Sequence, residues 1–323
     1  MVHQVFIYVA HRDGQAADSA LELLSAARIL SPDGPVTAIV TGWGEGLDRV
    51  CQEMASRCPE VWKLAHQDLA YPNAEAVRKC LVEVLPSEAV LLLAHDTLGM
   101  DLGPGLSVKL NSSFVSDVVA MTAPRDGALT LVREEYGGQV STHVSCDISG
   151  GAVLSIRSGA FPALEDGAPG EVQDRSSEIG DLACGRRFLE IVEAEAGDVD
   201  ITKEEILVSA GRGIEDEDNI EIAEELAKAL GGVVSCSRPI VDAKWLEKAR
   251  QVGTSGKTVK PKIYLALGIS GSFQHLGGLK GNPFIVAVNK NSKAPIFQVA
   301  DVGVVDDLLE FVPLLTERIN SQR

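Results

Sequence analysis

The chain has 323 residues, of which 45% are hydrophobic and 23% charged, a length with room for two cores and the composition of a globular protein. Its net charge of -17 repels phosphate backbones and anionic lipid surfaces, which excludes nucleic acid as a partner but not a small anionic cofactor in a local basic pocket. No apolar run reaches the roughly 20 residues of a bilayer span, no basic signal-type segment opens the chain, and the six cysteines form no CxxC pair, so a cytoplasmic protein with reduced thiols and no metal site is the expectation.

In chain order, VFIYVA (5–10), VTAIVTG (36–42) and AVLLLA (89–94) read as buried strands, and ALELLSAARIL (20–30) and EAVRKCLVEVL (75–85) as amphipathic helices. Continuous apolar strands alternating with helices predict a parallel sheet covered on both faces. LTLVREEY, QVSTHVSC and AVLSIRS read as short strands extending that sheet in antiparallel fashion. Residues 165–180 read as a polar linker, which puts a domain boundary between there and about 205. The second half repeats the parallel pattern. ILVSAG (206–211), VVSCS (233–237), IYLALG (263–268), FIVAV (284–288) and IFQVA (296–300) read as strands, and 219–232, 242–251 and 306–319 as helices. The fold class is α/β in two domains: an N-terminal parallel sheet domain with added antiparallel strands, 1–200, and a C-terminal doubly wound, Rossmann-like domain, 201–323.

Ligands of open parallel sheets sit at the carboxyl ends of the strands. Here those ends carry Arg212-Gly213, Ser237-Arg238, the run ISGSFQH and Asn289. Singly, each has a plain reading: a turn glycine, a surface arginine, a core histidine. The GxG of 211–213 is not extended to GxGxxG, and 251–262 reads equally as a flexible loop or as a loop laid over a cofactor. Together, glycines that admit backbone amides, hydroxyls, amides and arginines compose a site for an anionic cofactor with a diphosphate and a polyol chain.

The motifs SAGRG, SCSRPIVD, RQVGTSGKTVKPKIYLALGISGSFQHLGGL, IVAVNK and APIFQVADVGVVDDL, in that order over about 206–313, resemble the alpha subunit of electron-transfer flavoproteins. The first half is similar to that family's N-terminal domain in texture only. Its segment 99–110 lacks the family's arginines, so no site is carried over from it.

The resemblance implies FAD bound by 201–323, with 1–200 a scaffold facing a beta subunit in a heterodimer. It sets Arg212 by the cofactor and Ser237 and Arg238 by its diphosphate or ring. Val252, Gly253, Thr254 and Ser255 form the loop over the isoalloxazine. Ser270, Gly271, Ser272, Phe273, Gln274 and His275 run along the flavin and ribityl chain, and Asn289, Asp307 and Leu308 meet the adenosine end. Gly271 is read as the point where backbone must come close to the flavin, and His275 as an imidazolium or donor beside the ring, with Arg238 nearby. Thr254-Ser255 replace the family's Gln-Thr, Phe273 replaces a smaller residue, and Asn291 stands where Asp is usual.

The implied function is electron carriage. Electrons come from flavin dehydrogenases of acyl-CoA type and pass to a membrane quinone oxidoreductase or another redox acceptor, and the chain transforms no substrate by itself. A bifurcating complex oxidising NADH at a second flavin in the beta subunit is one alternative. A nucleotide-dependent dehydrogenase on a similar fold is another, and the missing GxGxxG speaks against it.

Overall fold

Apolar runs with no alternation become parallel strands buried on both faces in each half of the chain. The computed structural model describes residues 4–32, 34–125, 127–136, 140–164, 167–190 and 199–322. It divides into two units, Met1–Glu190 and Ile191–Arg323.

The strands of the first unit are β1 (Val5–Val9), β2 (Val36–Gly42), β3 (Glu60–Ala65), β4 (Val90–Ala94), β5 (Ser113–Met121), β6 (Ala128–Glu135), β7 (Val140–Asp147), β8 (Ala152–Ile156) and β9 (Glu171–Asp174). They form one sheet in the order β9-β3-β2-β1-β4-β8-β5-β6-β7. Helices α1 (Ser19–Leu30), α2 (Glu45–Ala55), α3 (Ala74–Val84) and α4 (Thr97–Leu110) complete the unit, and two apolar clusters fill it.

Two expectations change here. AVLSIRS is not an added antiparallel strand: β8 lies inside the sheet, parallel to both β4 and β5. All five of its residues are buried, as a strand covered on both faces requires. The antiparallel extension is β6 and β7 alone. The 165–180 stretch is not wholly a linker either, because β9 within it pairs with β3. At a sheet edge the backbone alone completes the ladder, so a polar sequence suffices there.

The second unit contains β10 (Ile206–Ala210), β11 (Val233–Cys236), β12 (Ile263–Leu267), β13 (Phe284–Val288) and β14 (Val302–Val304). They are all parallel, in the order β11-β10-β12-β13-β14. Helices α5 (Ile220–Leu230), α6 (Arg238–Asp242), α7 (Phe273–Leu276) and α8 (Leu308–Asn320) belong to it. The apolar face of α5 turns Ile220, Ala223, Leu226 and Ala227 into the core, and Gly231 stops the helix at φ +72°.

The helix expected over 242–251 is instead α6. Pro239 fits its first turn, Lys244 takes φ +65°, and a single 3₁₀ turn follows at Lys248–Arg250. IFQVA is likewise no strand. Pro295 opens a 3₁₀ turn over Pro295–Gln298, Ile296 is fully buried, and β14 takes the edge.

Candidate functional site

In the second sheet the chain leaves β10 for β11 on one side and then crosses to β12 on the other. The loops after β10 and β12 therefore leave the carboxyl edge in opposite directions, and that edge is the position where such sheets take ligands. Hydrogen bonds draw the surrounding loops into one rim. Gly211 N–H donates to Leu267 O (2.8 Å) and Gly213 N–H to Gly268 O (3.0 Å). Ser237 N–H donates to Ala210 O (3.0 Å), Val252 N–H to Cys236 O (2.9 Å) and Thr254 N–H to Gln274 O (2.8 Å).

The glycines have a reason the sequence did not reveal. A Cβ on Gly213 would lie 2.8 Å from Gly268 Cα, and Gly268 itself takes φ +64°. These glycines let two strand-end loops pack backbone to backbone. Gly271 is the clearest correction. It takes φ +83°, and a Cβ there would meet Ile296 N at 2.4 Å. Ile296 N–H donates to Ser270 O at 3.0 Å. The side chain is excluded by the fold itself, before any flavin is considered.

The polar groups of the rim are left available. Ser237 and Ser272 start α6 and α7, yet neither hydroxyl caps its helix, although serine at such a position ordinarily bonds the first-turn amides. Ser237 is 8% exposed, while Ser270, Ser272, Phe273 and Gln274 are exposed or, for Phe273, 66% so. Thr254 and Ser255 are exposed, with Val252 and Gly253 buried beneath them. Gln251 Nε2 donates to Ser255 Oγ (2.9 Å), which leaves the serine O–H free to donate outward. Arg212 is exposed and its guanidinium makes no ion pair among the described residues. Arg238 has only a 3.4 Å contact with Asp242, with both side chains mostly in solvent.

Three positions are committed elsewhere. Asn289 Nδ2 donates to Ile269 O (3.0 Å) and its Oδ1 accepts from Asn291 N–H (2.9 Å), so this amide braces two loops. Asp307 accepts from Leu309 N–H (2.9 Å) and pairs with Lys290 (3.1 Å), which also holds Glu215 (2.9 Å). The Leu309 amide first and Lys290 second hold the Asp307 carboxyl below the usual range. Leu308 is 2% exposed in the core, so its side chain is no adenosine contact and only its backbone is left for one.

His275 departs furthest from expectation. It is 5% exposed, its Nε2 lies 2.7 Å from Tyr264 Oη, and its buried Nδ1 forms no hydrogen bond. Burial pushes its pKa down to about 4, and the Val252 backbone opposes this only in part. Burial therefore favours the neutral ring over the imidazolium. Positive charge at the rim comes from Arg212 and Arg238.

Sequence reasoning also missed Tyr264, Ser209 and Ser235, all fully buried. Ser209 and Ser235 are register partners on β10 and β11. The available signal was a serine at the same place in two otherwise apolar strands.

Residues 200–280 match the electron transfer flavoprotein FAD-binding domain, and residues 5–179 match the electron transfer flavoprotein domain. The electron transfer flavoprotein subunit alpha of Thermoanaerobacterium thermosaccharolyticum is 32% identical over 98% of this chain and 98% of its own. The chain belongs to the electron transfer flavoprotein alpha-subunit family. The alpha subunit of Megasphaera elsdenii is also 32% identical, over 99% of this chain and 97% of its own. The acryloyl-CoA reductase electron transfer subunit beta of Anaerotignum propionicum is 30% identical, over 98% and 95%.

As an electron transfer flavoprotein alpha chain it carries an FAD-binding domain, and FAD is its cofactor. The rim fits that group: it carries two serine hydroxyls that cap no helix, the Ser255 O–H, the exposed Arg212, and Arg238, whose contact with Asp242 lies mostly in solvent. Asn289, Asp307 and Leu308 lie beyond the matched FAD-binding segment. Alpha chains of this family normally pair with a beta subunit. Among the described residues, no helix is long and apolar enough to cross a membrane.

Proposed function

We propose that this chain is the FAD-holding half of a cytoplasmic heterodimer, with residues 1–200 facing the beta subunit and 201–323 holding the flavin. It takes electrons from flavin dehydrogenases of acyl-CoA type and passes them to a quinone-linked or other redox acceptor. The observation that carries the reading is the carboxyl edge at β10 and β12, where arginines and hydroxyls stand exposed on a chain of net charge -17.

When bound, FAD supplies the electron storage, and the protein sets its surroundings. Arg212 and Arg238 offset the charge of the diphosphate and of the reduced ring. Ser237, Ser270, Ser272 and Gln274 hold the cofactor by hydrogen bonds along its length. Thr254 and Ser255 donate from the covering loop, and Phe273 shields one side from water. Packing Gly253 against the Gln274 turn ties the loop to that wall, since a Cβ on Gly253 would lie 2.9 Å from Gln274 O.

The test is flavin released by acid from the purified heterodimer. One FAD per heterodimer is expected. A well-folded heterodimer with none overturns the reading, and two FAD with NADH-driven reduction would establish the bifurcating form instead.

A further inference from the structure

We propose that Gln251 is a positioning residue for the loop over the flavin: its buried amide donates to Ser255 Oγ and so directs that hydroxyl's own proton toward the ring. The inference rests on the reading that the flavin lies at this rim.

Gln251 is a polar side chain beneath an exposed loop. It is 4% exposed, whereas Thr254, Ser255, Gly256 and Lys257 are all exposed. Burying an amide costs free energy unless it is hydrogen-bonded. Its Nε2 meets Ser255 Oγ at 2.9 Å. An amide nitrogen only donates, so the serine oxygen is the acceptor and the serine proton remains for a third group.

The backbone fixes both ends of that contact. Gln251 is fastened to the end of β11: it bridges to Cys236, and Val252 N–H donates to Cys236 O (2.9 Å). The loop then closes on the same residue. Lys257 N–H donates to Gln251 O (2.7 Å), and Gly256 N–H to Gly253 O (3.0 Å). A Cβ on Gly256 would lie 2.3 Å from Gln251 O, so the loop folds directly over the Gln251 backbone. The serine hydroxyl is thereby located relative to the sheet by a side chain as well as by the backbone.

Thr254 is placed differently. Its N–H donates to Gln274 O (2.8 Å), and its Cγ2 faces Gly277, where an added Cβ would lie 2.7 Å from it. Thr254 ties the loop to the α7 turn, and Ser255 is the hydroxyl that a buried side chain holds in place. Without the Gln251 amide, the serine hydroxyl can turn its proton away from the ring.

The experiment is a double-mutant cycle in the heterodimer. It uses Ser255→Ala and Gln251→Met, which keeps the length of the side chain and removes its donor. FAD affinity by equilibrium dialysis and the flavin midpoint potential are read for each. Ser255→Ala should weaken FAD binding roughly three- to tenfold, the loss of one hydrogen bond, and make the ring harder to reduce, since a donor favours the added charge. Gln251→Met should shift both quantities in the same direction, and the double variant should go no further than Ser255→Ala alone. Gln251→Met with wild-type affinity and potential overturns the proposal, and so do additive shifts. If Gln251→Met does not fold, a crystal structure of the FAD-bound wild type decides. Ser255 Oγ must lie within hydrogen-bond distance of both Gln251 Nε2 and the ring, and an open gap to either overturns the proposal. A wild-type heterodimer without FAD refutes the flavin site and this inference with it, whereas intact FAD binding with additive variants refutes the role of Gln251 alone.

Discussion

Acidification should destabilise the second unit through His275, by an amount the structure sets. The ring titrates at 6.5 when free and at about 4 in its buried place, where desolvation outweighs the Val252 backbone. Between those values the unfolded chain binds a proton that the folded chain does not, so stability rises with pH. The contribution is fully present above pH 6.5, falls as the pH drops toward 4, and is gone below both values. At 1.36 kcal/mol per pKa unit, the shift from 6.5 to about 4 corresponds to about 3 kcal/mol as an upper bound. Because the ring is 5% exposed, solvent screening takes little from it.

The assay compares wild type with His275→Gln, so that every other titrating group cancels. Hydrogen exchange of the amides of 263–288, corrected for intrinsic rates, reports the opening free energy at pH 7.5, 6, 5 and 4. The wild type should lose about 3 kcal/mol relative to the variant across that range, most of it below pH 6.5. A difference that stays constant with pH would refute the reasoning, because it would mean that the ring is not held neutral.

Gly271→Ala should destabilise the unit by roughly 2–4 kcal/mol, combining left-handed backbone strain with the loss of the Ile296 to Ser270 hydrogen bond. A melting temperature within a degree of wild type would contradict it. Arg212→Ala should leave the melting temperature of the flavin-free chain unchanged, since the side chain is exposed and unpaired among the described residues, while weakening FAD retention about tenfold or more. Unaltered affinity in equilibrium dialysis would remove Arg212 from the site. Of the six cysteines, only Cys184 is partly exposed, and burial pushes Cys51, Cys80 and Cys236 up to about 12. Ellman's reagent should therefore titrate one thiol in the native chain and six after denaturation, and several fast native thiols would contradict the packing.

The strands most legible in the sequence were those whose environment is uniform. VTAIVTG and VLLLA are buried along their whole length, so composition alone defines them. The misread segments depend on distant partners. Glu171–Asp174 is polar and becomes a strand only because β3 offers an open edge. IFQVA has strand composition, yet Pro295 and the demand of Ser270 O for a donor turn it into a 3₁₀ segment.

The same division holds at the site. The amino-acid order by itself determined the chemistry available after each strand: arginines, hydroxyls, glycines and amides, set at intervals that the family shares. That information is local, because a strand end and its loop are contiguous in the chain. Only the tertiary structure decided what each group is free to do. It spends Gly211, Gly213 and Gly268 on backbone packing, Gly271 on Ile296, Asn289 on bracing loops and Leu308 on the core. It also draws His275 inward onto Tyr264, a residue 11 positions earlier whose role no local pattern marks. Burial and hydrogen-bond partners are properties of the assembled core, and they set the charge of the ring.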